Sequence, residues 1–151
     1  VWQCHPASRG NLEIRSADPF EAPRIDPNYL GEQIDRDTMV SGVKMLREIY
    51  RQPAFRDLWD EEMMPGPGTQ SDADILDFVR GNGGTVFHCS GTCRMGNDDM
   101  AVVDSALRVR GTERLRVIDA SVMPIVTSAN TNAPSLMIGE KGADLVLEAG
   151  G

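Results

Sequence analysis

The stretch FHCSGTCRMG, residues 87–96, brings side chains that can do chemistry into ten consecutive positions. It contains His88, Cys89, Cys93 and Arg94, together with two glycines that allow tight backbone turns. Residues of these types could bind a metal ion, exchange a disulfide, or hold one catalytic imidazole. Each of these chemistries makes a different demand on spacing and on the rest of the chain.

Metal binding is one possibility, because three residues of the stretch are of ligand type: His88, Cys89 and Cys93. A fourth ligand could come from Cys4 or His5. Structural zinc sites usually contain short ligand spacings in pairs, whereas this chain has one Cys-x3-Cys and no second pair. That spacing also differs from the Cys-x-x-Cys of thiol redox sites. A small metal-binding or structural interaction module that uses these three residues stays as the alternative interpretation.

His88 by itself supports the third chemistry. An imidazole titrates near neutral pH, so it can take a proton from a substrate hydroxyl. The residue follows an apolar predicted strand and opens a loop with two glycines, where functional side chains are commonly displayed. A single imidazole at such a place can also be a core histidine with a satisfied hydrogen bond. The sequence therefore makes His88 a candidate base, with a structural histidine as the alternative.

A second polar stretch lies in residues 115–146, LRVIDASVMPIVTSANTNAPSLMIGEKGADLV. Asp119 ends a predicted strand, and the small residues Ala120 and Ser121 leave backbone amides open to a ligand. Asn130 and Asn132 precede a predicted helix whose first amides have no partner within the helix, a natural site for an anion or a polar ring. Asparagines at this place could alternatively form turns and cap the helix.

Three helices are predicted to support these stretches. The first, capped by Asp35 or Asp37, is expected to lie on a sheet. Its apolar face is indicated by four residues at helical spacing: Met39, Val43, Leu46 and Tyr50. Ser71 and Asp74 are typical of a capping box at the start of the next helix. Pro134 stands near the first position of a terminal helix.

Strands are predicted where apolar and polar residues alternate. VWQCHP and NLEIRS are expected to pair as an antiparallel hairpin, and a loop with three prolines follows. Further strands are predicted at TVFH, AVVDSALRVRG and LRVIDASVMP, and a short helix at PAFRDLWDEEM. Strands and helices do not alternate regularly, so the predicted fold class is α+β, with a mixed or antiparallel sheet and flanking helices.

Composition limits the partners of this protein. At 151 residues the chain fits one domain with a substantial core. Its net charge of -8 disfavours nucleic acid as a partner, and no apolar run is long enough for a membrane helix.

An odd number of cysteines and the lack of a visible signal sequence predict a bacterial cytoplasmic protein, free or peripheral to the inner membrane. The opening VWQCHPASRG has no initiator Met, so we expect a piece of a longer chain.

Three motifs in this order, HCSGTCRMG, LRVIDASVMP and NTNAPSLMIGEKGADL, resemble the C-terminal signatures of the glucose-methanol-choline (GMC) family of FAD-dependent oxidoreductases. The opening HPASRGNLEIRSADPFEAPRIDPNYL is similar to the start of the family's substrate domain, and the choline dehydrogenase-like branch is the most similar. The resemblance implies a fold like the C-terminal domain of FAD-linked reductases. Residues 1–151 would be the substrate-binding domain, with about 115–151 returning to the FAD-binding domain of the intact protein.

The resemblance also implies roles for individual residues. His88 would accept the hydroxyl proton of an alcohol as a hydride leaves for flavin N5, and Asn130 would hydrogen-bond the substrate oxygen. Cys89 stands where the family usually has proline, a change that leaves the imidazole in register. Contacts to FAD are implied for five residues: Asp119, Ala120, Asn130, Thr131 and Asn132.

The implied activity is FAD-dependent oxidation of a primary alcohol, choline-like or other, to an aldehyde, with oxygen or a quinone as electron acceptor. The family's Gly-x-Gly-x-x-Gly unit, which holds the ADP half of FAD, does not occur in these 151 residues. We therefore expect the isolated chain to be inactive and to need the missing Rossmann FAD-binding half. No metal is implied, and the sequence does not encode a membrane association.

Overall fold

A computed structural model describes residues 1–150 and divides the chain into two compact units. The first unit combines Val1–Gly10 with Asp26–Val86, and the second combines Asn11–Ile25 with the chain from Phe87 onward. The elements, in chain order, are β1 (Asn11–Glu13), β2 (Arg24–Asp26), α1 (Gln33–Tyr50), a 3-10 turn (Pro53–Phe55), α2 (Asp72–Asn82), a second 3-10 turn (Ala120–Val122) and α3 (Asn132–Gly150).

The core of the first unit is a contact between two helices. Val40 of α1 packs with Ile75 and Val79 of α2, and these three side chains are buried. The predicted apolar face of α1 is therefore present, but it lies on a helix and not on a sheet as expected. Periodicity shows which side of a helix is buried, and it does not show what covers that side.

The start of α1 is held by a buried carboxylate. Asp35 is only 1% exposed, and it accepts hydrogen bonds from the amides of Ala7 (2.8 Å) and Ser8 (2.7 Å), from the Ser8 hydroxyl, and from the Gln3 side chain (2.7 Å). Burial alone would raise the pKa of this carboxyl, but these hydrogen bonds, first that of the Ser8 hydroxyl, outweigh it and lower the pKa to about 2. The carboxylate thus joins residues 3–8 to α1.

The prediction that Asp35 or Asp37 caps α1 was wrong. The helix begins at Gln33, and its N-cap residue, Glu32, makes no side-chain capping bond. Instead the Ser8 hydroxyl, from a distant part of the chain, accepts a bond from the Glu32 amide at 3.0 Å. Asp35 therefore lies inside the first helical turn, where its acceptors are used by residues 3–8 and not by the helix amides.

A buried arginine organises the segment between α1 and α2. Arg47 donates to the Glu62 carboxylate at 2.8 and 3.0 Å and to the carbonyl of Thr69 at 2.8 Å. The short helix predicted at PAFRDLWDEEM is reduced to the 3-10 turn Pro53–Phe55. The predicted capping box at the start of α2 is confirmed: Ser71 Oγ accepts from the Asp74 amide at 3.1 Å, and Asp74 accepts from the Ser71 amide at 3.2 Å.

The second unit contains little regular β-structure. Within the described residues the one sheet is the antiparallel pair β1–β2, so NLEIRS pairs with the proline-containing loop and not with VWQCHP. The strands predicted at AVVDSALRVRG and LRVIDASVMP are replaced by isolated bridges such as Val103–Val109 and Arg108–Arg116, and TVFH forms no strand. Leu107, Gly111 and Arg114 have positive φ angles of 62°, 74° and 59°, and these turns interrupt the alternating pattern.

The apolar residues of these interrupted strands still form the core of the second unit. Val103, Leu107, Val122, Met123 and Ile138 are buried together. Ile138 belongs to α3, the terminal helix that the sequence predicted, and its packing places the start of α3 beside the loops of residues 87–123. The three helices and the antiparallel sheet confirm the α+β class. No helix within residues 1–150 is long and apolar enough to cross a membrane.

Candidate functional site

The loop that carries His88 is fixed to the 3-10 turn Ala120–Val122 by backbone hydrogen bonds. The amide of Cys93 donates to the Ser121 carbonyl at 3.0 Å, and the amide of Met95 donates to the Val122 carbonyl at 2.8 Å. Gly91, with φ 90°, makes the turn between them and His88. The two stretches identified in the sequence, residues 87–96 and 115–146, therefore meet in the structure.

An ion pair closes the same loop on its other side. Both terminal guanidinium nitrogens of Arg94 contact the Asp98 carboxylate, at 2.9 and 2.5 Å. The hydrogen bond from Arg94, followed by that from the Met100 amide, lowers the pKa of Asp98 to about 2. The Arg94 of the motif is thus engaged in holding the loop, and it is not directed to an external anion.

His88 is half-buried, and its imidazole is held by Thr131. Nδ1 of His88 lies 3.0 Å from the Thr131 hydroxyl oxygen, and the Thr131 amide donates to the same nitrogen at 3.5 Å. Because the contact uses Nδ1, Nε2 is the nitrogen that can face a substrate. The predicted place of His88 at the end of a strand was wrong, since residues 85–88 form no strand.

Asn130 and Asn132 flank Thr131 at the start of α3. Both asparagines are exposed, whereas Thr131 is 7% exposed. The Thr131 carbonyl accepts from the amide (3.0 Å) and the hydroxyl (2.6 Å) of Ser135, bonds that fix Thr131 to the first helical turn. The structure therefore places one exposed amide side chain on each side of Thr131, the residue that contacts His88.

Asp119 and Ala120 lie at the second 3-10 turn, which the His88 loop contacts. Asp119 is exposed, and its carboxylate accepts a hydrogen bond from the Ser121 amide at 2.7 Å as the N-cap of this turn. The strand that Asp119 was expected to end is absent from residues 115–119, although Arg116 forms an isolated bridge with Arg108. The turn still leaves one side of the carboxylate accessible.

The three cysteines are free thiols. Cys89 is exposed, and Cys4 and Cys93 are half-buried. Among residues 1–150 no group of three or more His, Cys, Asp or Glu side chains is placed to hold a metal ion. The ligand set of the alternative metal-binding interpretation, His88 with Cys89 and Cys93, is therefore not assembled in the described part of the chain.

The first unit contains a separate cavity of about 680 Å³, which none of the predicted site residues lines. Its wall is mainly apolar and aromatic, and includes Met39, Val43, Tyr50, Trp59, Met64 and Phe78. Tyr50 and Trp59 stack with ring centroids 6.4 Å apart. The lining of the cavity suits an apolar group, but the candidate base and the two asparagines belong to the second unit.

One relationship at the site was not predicted from the sequence, namely the contact between His88 and Thr131. The two residues are 43 positions apart, and neither the periodicity nor the spacing of either stretch indicates that they touch. Thr131 was expected only as a contact to FAD. The residue type of Thr131 gave one indication of this contact. A buried hydroxyl needs a hydrogen-bond partner, and an imidazole is a suitable one.

Comparison with protein families gives a match over most of the chain. A family model described as GMC oxidoreductase matches residues 6–139. An alcohol dehydrogenase [acceptor] of Pseudomonas putida is 44% identical over 142 residues, which is 94% of this chain and 26% of that protein. An oxygen-dependent choline dehydrogenase of Burkholderia multivorans is 48% identical over 146 residues, 97% of this chain and 26% of that protein. The chain thus spans about a quarter of the length of these relatives.

Two solved structures are similar to this chain over most of its length. A pyridoxine 4-oxidase from Mesorbium loti superimposes with a TM-score of 0.85 at 37% identity, covering 93% of this chain and 28% of that one. An FAD-dependent oxidoreductase from Chaetomium thermophilum gives a TM-score of 0.89 at 33% identity, covering 97% of this chain and 26% of that one. Both likenesses extend over nearly all of the residues described above.

Proposed function

The chain belongs to the GMC oxidoreductase family, and from this membership we propose that it supplies the substrate-binding and proton-transfer part of an FAD-dependent alcohol oxidoreductase. Residues 1–151 are the C-terminal domain in this proposal, and about 115–151 return to the FAD-binding domain. Since the relatives are about four times as long, the activity belongs to the intact protein. The isolated chain is expected to be inactive.

The residues around α3 and the second 3-10 turn have the chemistry that a flavin requires. The exposed amides of Asn130 and Asn132 can donate to and accept from a polar ring edge, and the exposed Asp119 carboxylate can accept from sugar hydroxyls. Ala120 adds little bulk beside that carboxylate, and Thr131 lies between the two asparagines. These five residues are the proposed FAD contacts of this domain.

His88 is the proposed base. When bound, FAD would supply the acceptor for the hydride of the alcohol carbon. The His88 imidazole takes the proton of the substrate hydroxyl, and the C–O bond gains double-bond character as the aldehyde forms. Asn130 cannot act as a base, so its amide donates to the substrate oxygen and orients it. The observation that carries this proposal is the imidazole held through Nδ1 beside two exposed asparagines.

The names of the relatives support a proposed substrate class. Their names include choline dehydrogenase and alcohol dehydrogenase, and we propose a primary alcohol, choline-like or other, as the substrate of the intact protein. Oxygen or a quinone is the proposed acceptor of the electrons. The chain itself contributes the proton acceptor and the orienting amide, and the selection between alcohols depends on groups in the rest of the protein.

The test replaces His88 in the intact, FAD-loaded protein. A positioned general base contributes about 10² to 10⁴-fold, so His88→Ala should slow flavin reduction by alcohol within that range while the thermal melting midpoint changes little. His5→Ala is the matched control, because His5 is the other histidine and is exposed. An unchanged rate of flavin reduction together with a large loss of stability would show that His88 is a structural residue.

A further inference from the structure

The apolar cavity of the first unit extends along one face of α1. Met39, Val43, Leu46 and Tyr50 line it, and these are the residues whose spacing indicated the apolar face of the helix. Val40 is buried against α2, whereas Leu46 and Tyr50 keep 38% and 43% of their surface exposed. In the described part of the chain, α2 therefore covers the apolar face of α1 incompletely, and its C-terminal half is the less covered.

The charged side chains in the cavity wall do not call for a charged occupant. Arg47 donates to the carboxylate of Glu62 at 2.8 and 3.0 Å, so two of these charges satisfy each other. Arg47 also donates to the Thr69 carbonyl at 2.8 Å. Glu61, a further charged residue of the wall, is exposed to solvent. The chemistry of the wall therefore favours an apolar occupant.

The size of the cavity indicates an occupant larger than one side chain. Its volume is about 680 Å³, whereas a cavity of roughly 150 Å³ already accommodates a benzene molecule. Met63 and Met64, which belong to the same wall, are 84% and 75% exposed. Apolar surface of this extent usually marks a place where a further part of a protein packs.

The first residues of the chain run along α1 in the opposite direction to the helix. Asp35, in the first turn of α1, accepts a hydrogen bond from the Ser8 amide at 2.7 Å. Val1 lies two turns further along, where a β-carbon at Gly42 would be 2.5 Å from Val1 Cγ1. Val1 also lines the cavity. Residues 1–8 are therefore antiparallel to α1, and Val1 is already at the cavity.

A chain that continues backward from Val1 in this direction passes over Leu46 and Tyr50. The distance along α1 from Gly42 to Tyr50 is about 12 Å, because each of eight residues adds about 1.5 Å. An extended chain rises about 3.3 Å per residue, so about four residues cover this distance. The remaining length of the cavity thus matches a short extended segment.

We propose that, in the intact protein, the cavity is filled by side chains of the segment that directly precedes Val1, extended antiparallel to α1. The proposal rests on the proposed function, because the placement of this chain as the C-terminal domain puts the rest of the protein before Val1. Successive side chains of an extended segment point to opposite sides, so the second and fourth residues before Val1 face α1, as Val1 does. The cavity is then a packing surface between parts of one chain and not a site for a small molecule.

Disulfide cross-linking in the intact protein tests this path. The native cysteines are replaced by serine, and a cysteine is introduced at each position before Val1 in turn. A disulfide needs Cα atoms about 4.4 to 6.8 Å apart. Leu46→Cys should therefore link to the second position before Val1, and Tyr50→Cys to the fourth, with the odd positions linking poorly. Peptide mass spectrometry after oxidation identifies the linked pairs.

Glu48→Cys is the matched control. Glu48 is exposed on α1 two positions after Leu46, which places it on the far side of the helix, and we expect no link to any upstream position. The proposal is overturned if neither Leu46→Cys nor Tyr50→Cys links to the upstream segment. It is also overturned if Leu46→Cys alone gives covalent dimers, because a second copy then covers this face.

Hydroxyl-radical labelling of the unmodified intact protein gives a second readout that needs no variant. Tyr50 should be labelled much more slowly in the folded protein than in urea, because the upstream segment covers its exposed side. Equal labelling rates of Tyr50 in the folded and unfolded protein would overturn the proposal even if the cysteine variants fail to fold.

Neither measurement involves alcohol or flavin reduction, so failure of the proposed chemistry gives a different result. If the expected links form but His88→Ala reduces flavin at the parental rate, the packing of the cavity is confirmed and the role of the base is wrong. If His88→Ala is slow but no links form, the base is confirmed and the packing proposal is wrong.

Discussion

Gly142 of α3 lies against the side chain of Ile118, so closely that a β-carbon at Gly142 would overlap the Ile118 methyl groups. The contact joins the terminal helix to the segment that leads into Asp119, and Gly142 is buried there. Gly139, one turn earlier on the same helix, has no atom within 4 Å of the position that its β-carbon would take. Close packing therefore requires a glycine at position 142 but not at position 139.

Gly142→Ala should destabilise the protein by about 1 to 3 kcal/mol, because the added methyl group forces α3 or Ile118 to move. Gly139→Ala is the matched control and should be neutral or stabilising by up to about 1 kcal/mol, since alanine favours helix more than glycine does. Urea denaturation measures both changes. Replacing Ile118 by Ala in the Gly142→Ala background should recover part of the loss, and a lack of any recovery would contradict the proposed overlap.

The stability of the first unit should depend on pH through Asp35. The folded-state pKa of about 2 lies below the ordinary value of 3.8, so the ionised carboxylate stabilises the folded state above the ordinary pKa. This contribution, on the order of 2 kcal/mol, is lost as the pH falls from about 5 toward 2. Asp35→Asn should remove much of this pH dependence of the unfolding free energy. Asp37→Asn, at an exposed position of the same helix, should leave it in place.

Arg47 should contribute far more to stability than a surface arginine of the same helix. Arg47→Met leaves the Glu62 carboxylate and the Thr69 carbonyl without their donor. We therefore expect the free energy of unfolding to fall by about 3 kcal/mol. Arg51→Met, which removes an exposed ion pair with Glu48, should have an effect close to zero. Chemical denaturation followed by tryptophan fluorescence compares the two variants, and equal effects would mean that the Arg47 network is not stabilising.

The two asparagines should separate catalysis from cofactor retention in the intact protein. Asn130→Ala should lower the turnover number by up to about 10²-fold while FAD stays bound, because a donor to the substrate oxygen is lost. Asn132→Ala, at the first residue of α3, should chiefly reduce flavin content or stability. Steady-state kinetics normalised to bound flavin distinguish these results. Equal losses of turnover per flavin would show that the roles are shared.

Local signals in the sequence predicted the presence of α1, α2 and α3. The capping box of Ser71 and Asp74 and the apolar repeat of α1 depend on residues three to four positions apart, and such patterns are visible in the sequence. The start of α1 was missed because the group that satisfies its Glu32 amide is the hydroxyl of Ser8, 24 positions away. A pattern within one helix contains no information about such a partner.

The strands were overpredicted for a related reason. Residues 101–124 alternate as strands do, and Val103, Leu107 and Val122 are buried as expected. Positive φ angles at Leu107 and Arg114 turn the chain before a ladder can form. Leucine and arginine are unusual residues at such angles, so the sequence contains no warning of these turns. At the site, the motifs identified His88 and both asparagines as candidates, while the contact of His88 with Thr131 required the tertiary structure.

The loops of residues 93–123 bond to one another through their backbones, as in the Val109 amide to the Leu115 carbonyl at 2.9 Å and the Val117 amide to the Leu107 carbonyl at 3.1 Å. Far-ultraviolet circular dichroism would record this segment as irregular, because it contains no strand or α-helix. Its amides should nevertheless exchange slowly with deuterium, since exchange requires the cross-bonded loops to open together. Irregular structure and low local stability are therefore separate properties in this protein, and the segment that supports the candidate base should belong to its most protected part.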